Sequence, residues 1–317
     1  MRKETMEKGM KMKDFISRSV TMIAFFVIII IFSLLSDRFF TLDNIFNVLR
    51  QVSTNGIIAL GIMLVIIAGG IDLSVGSVSA FAGTLCCGLI EGGMHFGLAV
   101  FIALACSMVF GYLNGILVAK VHMPPFIVTL ASMQIIRGCG YLYSHGAPIR
   151  AINDSFNLLG NGYIGIVPVP ALIFTGVAAV IYLILHRSKI GMWIYAVGGN
   201  KSCAVYSGIH AKWIEIFVFM VSAVCAALSG IILAARMYSG QPTSGQGAEM
   251  DAIAAAVLGG TSFSGGSGTV GGTILGVLII GVMNNGLNIL NVDSYYQQVL
   301  KGIIILLAIY ADMMKKK

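Results

Sequence analysis

Long apolar runs separated by short polar segments dominate the sequence. A helix needs about 20 mainly apolar residues to cross a bilayer, and by that rule the pattern predicts an all-α polytopic membrane protein of about ten transmembrane helices. The predicted helices are centred near residues 28, 60, 80, 108, 132, 176, 223, 256, 278 and 306. The third and eighth segments are short and interrupted by glycine, so some helices are predicted to be broken.

The first apolar run, Ser19–Ser36, is predicted to be a retained helix. The apolar core of a signal peptide has about 7–15 residues and precedes a small-x-small cleavage site, whereas this run is longer and no such site follows it. The predicted organisation is a segment 1–18, a single transmembrane domain over 19–314 with a long central loop at 186–212, and a basic tail at 315–317.

The distribution of basic residues predicts the orientation. If the N terminus is cytoplasmic, the segments on that side hold 14 of the 20 Lys and Arg residues, which is the bias that cytoplasmic loops carry. With an even number of helices, the segments 1–18 and 315–317 are then both cytoplasmic. The other basic residues are predicted to lie outside or at outer helix ends: Arg38, Arg50, Arg137, Arg150, Arg236 and Lys301.

Composition supports a membrane protein and argues against several other classes. Hydrophobic residues make up 57% of the chain and charged residues 10%, whereas a soluble domain has roughly 25% charged residues. The net charge of +7 follows from the clustered basic residues and does not indicate a nucleic-acid partner. The six cysteines form no CxxC pair and are predicted to pack as small apolar side chains.

The sequence has none of the common catalytic or metal-binding motifs. It lacks HExxH, GxSxG and the GxxxxGK phosphate loop of many ATPases. We therefore predict no catalytic residue, no metal site and no cofactor bound by this chain. If transport is powered by ATP, the ATPase must be another polypeptide.

The segment 68–77 is the most unusual one, because it places Asp72 and a glycine-rich turn between two apolar segments. A charge at membrane depth is a functional candidate by default. Asp72 either contacts a polar solute or caps the helix that follows, and one residue could do both. The same two possibilities, solute contact and hydrogen bonding between helices, apply to the predicted solute-pathway residues: Asp72, Ser74, Ser77, Asn114, Gln134, Asn284 and Asn285.

Other features also leave alternatives open. Glu249 and Asp251 precede an apolar run, so they either stabilise a helix N-terminus or contact a solute or a partner at the outer mouth. Small residues spaced by four predict close packing on two helices, either within the bundle, in a dimer seam or along a pore. These residues are Gly111 and Gly115 on one helix and Gly268, Gly272 and Gly276 on another. A weak internal similarity pairs residues 69–85 with residues 259–275.

The central loop is predicted to carry a short helix. A turn at Gly198-Gly199-Asn200 precedes an amphipathic stretch from Lys201 to Ile209, with Gly208 near its end. Such a helix on the inner surface would either dock on a soluble partner or serve as an interfacial anchor.

Several motifs together resemble a known family. GGIDLSVGSVSAFAG at 69–83, EMDAIAAAVLGGTSFSGGSGTVGGTILG at 249–276, NNGLNIL at 284–290 and YYQQVLKGIIILLA at 295–308 occur in the order seen in permease subunits of bacterial ABC importers for simple sugars. The similarity covers residues 18–313. It implies a permease in the cytoplasmic membrane that imports a pentose or hexose. Two alternatives are the same role for a nucleoside or a furanose signal molecule, and an ion-coupled secondary transporter of a small polar solute.

The resemblance also implies partners. These are a second permease subunit in a homo- or heterodimer, a cytoplasmic ATPase that binds ATP and Mg, and an extracytoplasmic sugar-binding protein that would contact residues 143–165 and 237–250. The family's ATPase-coupling segment corresponds to Gly198, Gly199, Asn200, Ala204, Ser207, Gly208 and Ile209. This chain departs from the family at Lys201, where an acidic residue is usual. The surface charge of this chain's ATPase partner therefore does not follow from the resemblance.

Overall fold

The computed structural model of the chain describes residues 21–314, so the predicted cytoplasmic segments 1–18 and 315–317 lie outside the described residues. Helices form nearly all of the regular structure. They are α1 (Thr21–Leu35), α2 (Leu42–Ile67), α3 (Val75–Glu91), α4 (Phe96–Ala119), α5 (Pro125–Ser144), α6 (Asp154–Asn161), α7 (Val169–Arg187), α8 (Lys189–Gly199), α9 (Lys201–Tyr206), α10 (Ala211–Met237), α11 (Ala248–Leu258), α12 (Val270–Ile289) and α13 (Ser294–Met314). The strands are β1 (Ile149–Arg150), β2 (Tyr163–Ile164), β3 (Val167–Pro168) and β4 (Ser239–Gly240).

Within residues 21–314, five helices are long and apolar enough to cross a membrane: α2, α4, α7, α10 and α12. The prediction of an almost wholly helical chain is therefore confirmed, and these five helices have the length and composition expected of membrane spans. Each of the ten predicted centres falls inside a helix. The eighth, however, is α11, whose 11 residues extend only about 16 Å, roughly half of the hydrocarbon core. The prediction that this segment crosses the membrane on its own is wrong.

Two long helices form the centre of the bundle. In the most apolar stretch of α2, 83% of the residues are buried, whereas the corresponding share in α4 and α7 is 22%. The outward faces of α4 and α7 carry large apolar side chains such as Phe101 and Leu183, as expected of helices that face lipid. α10 packs between α2, α3 and α4 and is the second central helix.

Glycines allow the closest helix contacts. A Cβ atom at Gly111 would lie 2.6 Å from the carbonyl oxygen of Phe219 on α10, and one at Gly115 would lie 2.7 Å from the Cα atom of Ile216. This pair therefore packs within the chain, against α10, because only a residue without a side chain lets the two backbones approach so closely.

The second predicted stripe needs a correction. Gly272 and Gly276 lie on α12 and pack against the backbone of Gly259 and Ala255. Gly268 lies in the loop before α12, so it is not on the same helix face as the other two. The helix begins only at Val270, after its N-cap residue Thr269.

Two interrupted helices are related by inverted direction. α2 ends at Ile67, the chain turns back through residues 68–74, and α3 starts inside the bundle. α10 ends at Met237, the chain turns back through residues 239–247, and α11 likewise starts inside the bundle. The two starts meet, since Gly245 lies against the carbonyl oxygen of Gly76 at the first turn of α3. From there α3 runs toward the end of the bundle that carries β1 and β4, which we call the outer end. α11 runs toward the opposite end, which carries α8 and α9 and which we call the inner end.

This arrangement corrects the predicted internal similarity. The structural counterpart of residues 68–91 is residues 239–258, not residues 259–275, because the latter lead into the full-length α12. Residues 69–85 and 259–275, which the sequence paired, share only the glycine turn that follows a helix. Gly69 after α2 and Gly260 after α11 both adopt a left-handed conformation, with φ of +87° and +88°.

Candidate functional site

A cavity of about 330 Å³, with several polar side chains in its wall, opens in the outer half of the bundle. Its mouth lies near Asn47, close to the start of α2, and Arg236, close to the end of α10. Its floor lies near Ser79 and Ala248, where α3 and α11 begin. The full lining is Asn47, Gln51, Thr54, Asn55, Ile58, Ser79, Ser229, Leu233, Arg236, Gly245 and Ala248. The cavity therefore leads from the outer end to the point where the two broken helices meet.

Several lining groups are already hydrogen-bonded within the protein. Arg236 donates from Nη2 to Oδ1 of Asn47 at 2.6 Å. The Ser229 hydroxyl donates to the carbonyl oxygen of Thr54 at 2.8 Å, and the Thr54 hydroxyl donates to the carbonyl oxygen of Gln51 at 3.0 Å. The bonds of Arg236 and Ser229 tie α10 to α2 along the cavity wall, and the Thr54 bond stays within α2.

Sequence reasoning missed this cavity. None of the seven predicted pathway residues lines it. The signal was present, because Asn47, Gln51, Thr54 and Asn55 follow the spacing that puts residues on one helix face. The sequence predicts only a helix centred near residue 60, and the polar residues in the first half of α2 are not among the predicted pathway residues.

Asp72 forms a buried hydrogen-bonded centre beside the break between α2 and α3. Its Oδ1 atom accepts from the backbone N–H of Ser74 at 3.0 Å and from the Ser74 hydroxyl at 2.6 Å. Its Oδ2 atom accepts from the Ser222 hydroxyl of α10 at 2.8 Å. Asn114 of α4 donates to the Ser74 hydroxyl at 3.2 Å. Three predicted residues thus come together, joined by Ser222, which the sequence did not indicate.

This geometry bears on the two possible roles of Asp72. The bond to the N–H two residues later is an Asx-turn, which shapes the chain just before α3. Asp72 is 1% exposed, and both of its oxygens are occupied by protein donors. In this conformation its hydrogen bonds join the segment before α3 to α10, and Asn114 of α4 reaches the same centre through Ser74.

The other predicted pathway residues lie apart from this centre. Ser77 is fully buried on α3 and its hydroxyl oxygen has no partner within residues 21–314. Gln134 is exposed on α5. Asn285 of α12 exchanges two hydrogen bonds with Asn44 of α2, at 2.9 and 2.8 Å. Asn284 donates to Asp251 at 3.2 Å. The seven residues therefore form no single lining.

Asp251 lies in a second buried polar cluster. Its Oδ2 atom accepts from Lys301 Nζ of α13 at 2.9 Å as well as from Asn284 of α12. Asp251 and Glu249 both belong to the first turn of α11, where negative charge is favoured. The contacts of Asp251 join α11 to α12 and α13. Of its two predicted roles, its place in the first turn of α11 fits the stabilisation of a helix N-terminus.

Arg137 anchors the returning segment before α11. Its Nη1 atom donates to the carbonyl oxygens of Pro242 and Ser244, at 2.8 and 2.6 Å. It lies in the middle of α5 (Pro125–Ser144), so its predicted place at an outer helix end is wrong. Carbonyl groups in a non-helical segment within a bundle need donors, and Arg137 supplies two.

The central loop folds into two short helices. Gly198 and Gly199 are the last residues of α8, so the predicted turn at these glycines is wrong, and Asn200 alone joins the helices. Asn200 is the N-cap of α9, because its Oδ1 atom accepts from the N–H of Cys203 at 2.9 Å. α9 begins at Lys201 as predicted and ends at Tyr206. Gly208, with φ of +83°, reverses the chain so that Ile209 N–H donates to the carbonyl oxygen of Ala204.

The surface of α9 is almost entirely exposed. Only Ala204 is buried, whereas Val205 is 51% and Tyr206 is 91% exposed. Lys201, which replaces the acidic residue usual in the resembling family, forms an ion pair with Glu215 of α10, with 2.5 Å between Nζ and Oε1. Its charge therefore has a partner inside the chain.

The end of α8 is wedged against both broken-helix segments. Gly198 packs on the carbonyl oxygen of Ile67, the last residue of α2, and next to Gly266 in the loop after α11. Gly266 N–H itself donates to Ile67 at 2.8 Å. The Tyr195 hydroxyl donates to the carbonyl oxygen of Gly268 at 2.8 Å, and burial raises the pKa of Tyr195, so the donor stays protonated.

The two outer segments, 143–165 and 237–250, meet in a short antiparallel ladder. β1 pairs with β4, with Ile149 opposite Gly240 and Arg150 opposite Ser239. Asn161 of α6 adds hydrogen bonds to the carbonyl oxygens of Ala235 and Arg236, each at 3.2 Å. The outer end therefore presents one continuous surface beside the cavity mouth.

Comparison with known proteins identifies the group to which these features belong. The family described as "Branched-chain amino acid transport system / permease component" matches residues 44–309. The ribose import permease protein RbsC of Bacillus subtilis is 44% identical, over 92% of this chain and 91% of the relative. RbsC of Escherichia coli K12 is 42% identical over 96% of each chain. The D-allose transport system permease protein AlsC of the same strain is 39% identical over 92% of this chain and 90% of the relative. No solved structure matches the chain.

Proposed function

This chain belongs to the transport-system permease family that matches it over residues 44–309, and from that premise we propose that it is the membrane-spanning subunit of an ATP-driven monosaccharide importer. The observation that carries the proposal is identity of 39–44% with ribose and allose permeases over at least 90% of both chains. The inverted pair of broken helices supports it, since transport paths are commonly built at such helix breaks.

The proposed topology has ten membrane-embedded elements with both termini in the cytoplasm of a bacterial cell, in its inner membrane. Eight of these elements are full crossings and two are the broken helices α3 and α11. The excess of Lys and Arg in the segments assigned to the cytoplasm supports this orientation.

The proposed ATPase partner docks on α9 and the end of α8. Exposed Val205 and Tyr206 supply an apolar contact surface there, with Lys201 already paired to Glu215. ATP and Mg²⁺ would be bound by that partner. The proposed docking site of the sugar-binding protein is the outer surface formed by residues 143–165 and 237–250, and a second permease subunit, identical or different, completes the assembly.

The proposed mechanism follows from the contacts of Gly198. ATP binding would draw the two ATPase subunits together and move the coupling segments with them. Because Gly198 lies against Ile67 and Gly266, that motion acts directly on the inner ends of both broken-helix units. The path then opens outward, the docked binding protein releases sugar, and ATP hydrolysis restores the inward-facing state.

The first test is co-purification followed by uptake. The tagged chain is isolated from native membranes in mild detergent, and a stoichiometric ATPase with a P-loop is expected with it. Proteoliposomes containing the complex and its binding protein should transport labelled D-ribose, D-allose or D-xylose only when ATP is supplied on the side of the membrane that carries the ATPase. Uptake by the chain without any ATPase, driven by an ion gradient, would contradict the proposal.

The coupling assignment has its own test. Replacing residues 199–208 with a flexible linker of equal length should abolish sugar-stimulated ATP hydrolysis, because α9 and its contacts would be lost. Unchanged stimulation in a folded complex would show that the ATPase docks elsewhere.

A further inference from the structure

We propose that the groove of the ATPase subunit that receives the inner end of this permease is rimmed by carboxylate groups, so that the charge of the docking segment selects which ATPase can bind. This inference rests on the proposed function and adds the chemistry of the partner's surface. It is carried by the charges and the exposed side chains that the chain presents at its inner end.

The docking segment carries positive charge and no negative charge. Residues 186–212 contain four Lys and Arg residues and no Asp or Glu. All four side chains belong to exposed residues, namely Arg187, Lys189, Lys201 and Lys212. The neighbouring inner loops, 120–124 and 259–269, add Lys120 and likewise contain no acidic residue.

The first acidic residue after the segment does not offset these charges. Glu215 lies in the first turns of α10, is 8% exposed, and has its Oε1 atom 2.5 Å from Lys201 Nζ. Its charge therefore acts on Lys201 and does not face a partner. Within residues 21–314, no ion pair neutralises Arg187, Lys189 or Lys212.

Apolar side chains are exposed on the same surface. Tyr206 on α9 is 91% exposed, and Met192 on α8 is 63% exposed. Ile194 and Val197 of α8 are buried, so the opposite face of that helix, with Met192 and Lys189, is the one that points away from the bundle. Exposed Tyr and Met flanked by charged side chains are typical of a protein contact with an apolar centre and a polar rim.

A partner that covers this surface must bring opposite charge. Like charges brought together across an interface are strongly unfavourable, whereas opposite charges speed association and fix orientation. The three unpaired cations therefore fit a groove with an apolar pocket and a rim of Asp and Glu. An ATPase with Lys or Arg at that rim is rejected, because repulsion is one means by which related pairs stay separate. Membrane orientation alone also favours Lys and Arg here, but it gives no reason for an almost fully exposed Tyr206 among them.

The test measures binding between two purified components. The ATPase that co-purifies with the chain is separated from it and rebound to the permease in nanodiscs of phosphatidylcholine, a lipid without net charge. The affinity should fall roughly fivefold or more when NaCl is raised from about 50 to about 500 mM, because salt screens exposed charges. Lys189→Glu and Lys212→Glu should each weaken binding by roughly 3- to 20-fold.

The matched control is Arg38→Glu, the same kind of charge reversal at an exposed residue of the outer end, between α1 and α2. It should bind the ATPase as the unmodified permease does. All three changes are at exposed side chains, so their unfolding midpoints should equal that of the unmodified permease, and this comparison separates loss of binding from loss of folding.

A charge exchange supplies a second measurement. When the acidic residues at the rim of the ATPase groove are replaced by Lys one at a time, at least one replacement should restore binding of the Lys212→Glu permease and weaken binding of the unmodified one. Affinity that neither salt nor charge reversal changes, or the absence of any restoring replacement, overturns the inference while the importer stands. Reversals that release phosphatidylglycerol from the native permease without changing ATPase affinity also overturn it, because the basic residues then serve the membrane. If no ATPase co-purifies, the proposed function fails and the inference with it.

Discussion

At the scale of single residues, the buried polar groups of this protein are explained mostly by their partners. A carboxylate inside a membrane bundle is tolerated when its oxygens accept hydrogen bonds, and Asp72 accepts three. The sequence indicated that Asp72 is special, because a charge interrupts an apolar stretch. It could not indicate Ser222, which lies 150 residues away and is brought close only by packing of α10.

Asp72→Ala should destabilise the protein by about 2–4 kcal/mol, because two hydroxyls and one N–H would lose their hydrogen-bond acceptor. Thermal unfolding of the purified protein in detergent measures the effect. Ser222→Ala removes one of the three bonds and should cost about 1–2 kcal/mol. An Asp72→Ala variant as stable as the parent would show that these bonds contribute nothing net.

Lys301→Met should destabilise the protein by about 3–5 kcal/mol, because it leaves the Asp251 carboxylate buried without its cation. The double variant Asp251→Asn with Lys301→Met should recover most of that loss, since no charge is left unpaired. The measurement is a double-mutant cycle of unfolding midpoints. Equal losses in the single and double variants would contradict the explanation.

At the scale of whole elements, hydropathy located the helices but not their ends. α2 begins at Leu42, well before its predicted centre near residue 60. Hydropathy did not indicate this start, because Asn44, Asn47 and Gln51 lower the apolar content of the first turns. These polar residues are tolerated in a central helix because they face a cavity and a partner amide. The same reasoning failed for α11, where an apolar run looked like a crossing although its first turn meets α3 inside the bundle.

Gly198→Ala should displace the end of α8 from the end of α2. A Cβ at this position would fall well inside contact distance of the Ile67 carbonyl and 2.7 Å from Gly266 N. We expect a loss of about 1–3 kcal/mol in stability and reduced uptake.

Gly199→Ala is the matched control, because a Cβ there meets nothing within 4 Å. It should change stability by less than about 0.5 kcal/mol. Thermal unfolding is measured for both variants in parallel, because Gly199 lies on the proposed docking surface and is a control for stability alone. Similar behaviour of the two would mean that the contact between α8 and α2 is not tight in the working protein.

At the scale of the whole molecule, the bundle has two chemically different ends. The inner end carries α9 with the exposed native Cys203, and the outer end carries β1, β4 and the strongly exposed Ile152. The charge pattern of the sequence predicts which of these ends faces the cytoplasm. The way the two outer segments meet could not be predicted, because β1 and β4 have two residues each and their pairing depends on the helices that support them.

In membranes prepared without the proposed ATPase partner, which would cover α9, a membrane-impermeant maleimide should label Cys203 in inverted vesicles but not in intact spheroplasts. In an Ile152→Cys variant, the added cysteine should be labelled from outside in spheroplasts. Cys203→Ser removes the native signal and identifies it. Labelling of Cys203 in intact spheroplasts would reverse the proposed orientation.

The reciprocal amide pair of Asn44 and Asn285 has an evolutionary consequence. Each side chain donates to and accepts from the other across 241 residues of sequence, so a change at either position removes both bonds of the pair, and Asn44 then keeps only its bond to the carbonyl oxygen of Phe39. Lineages that lose one asparagine should lose or replace the second soon afterwards. In an alignment of many descendants of the same ancestor, these two distant positions are expected to vary together, as though they were a single inherited character.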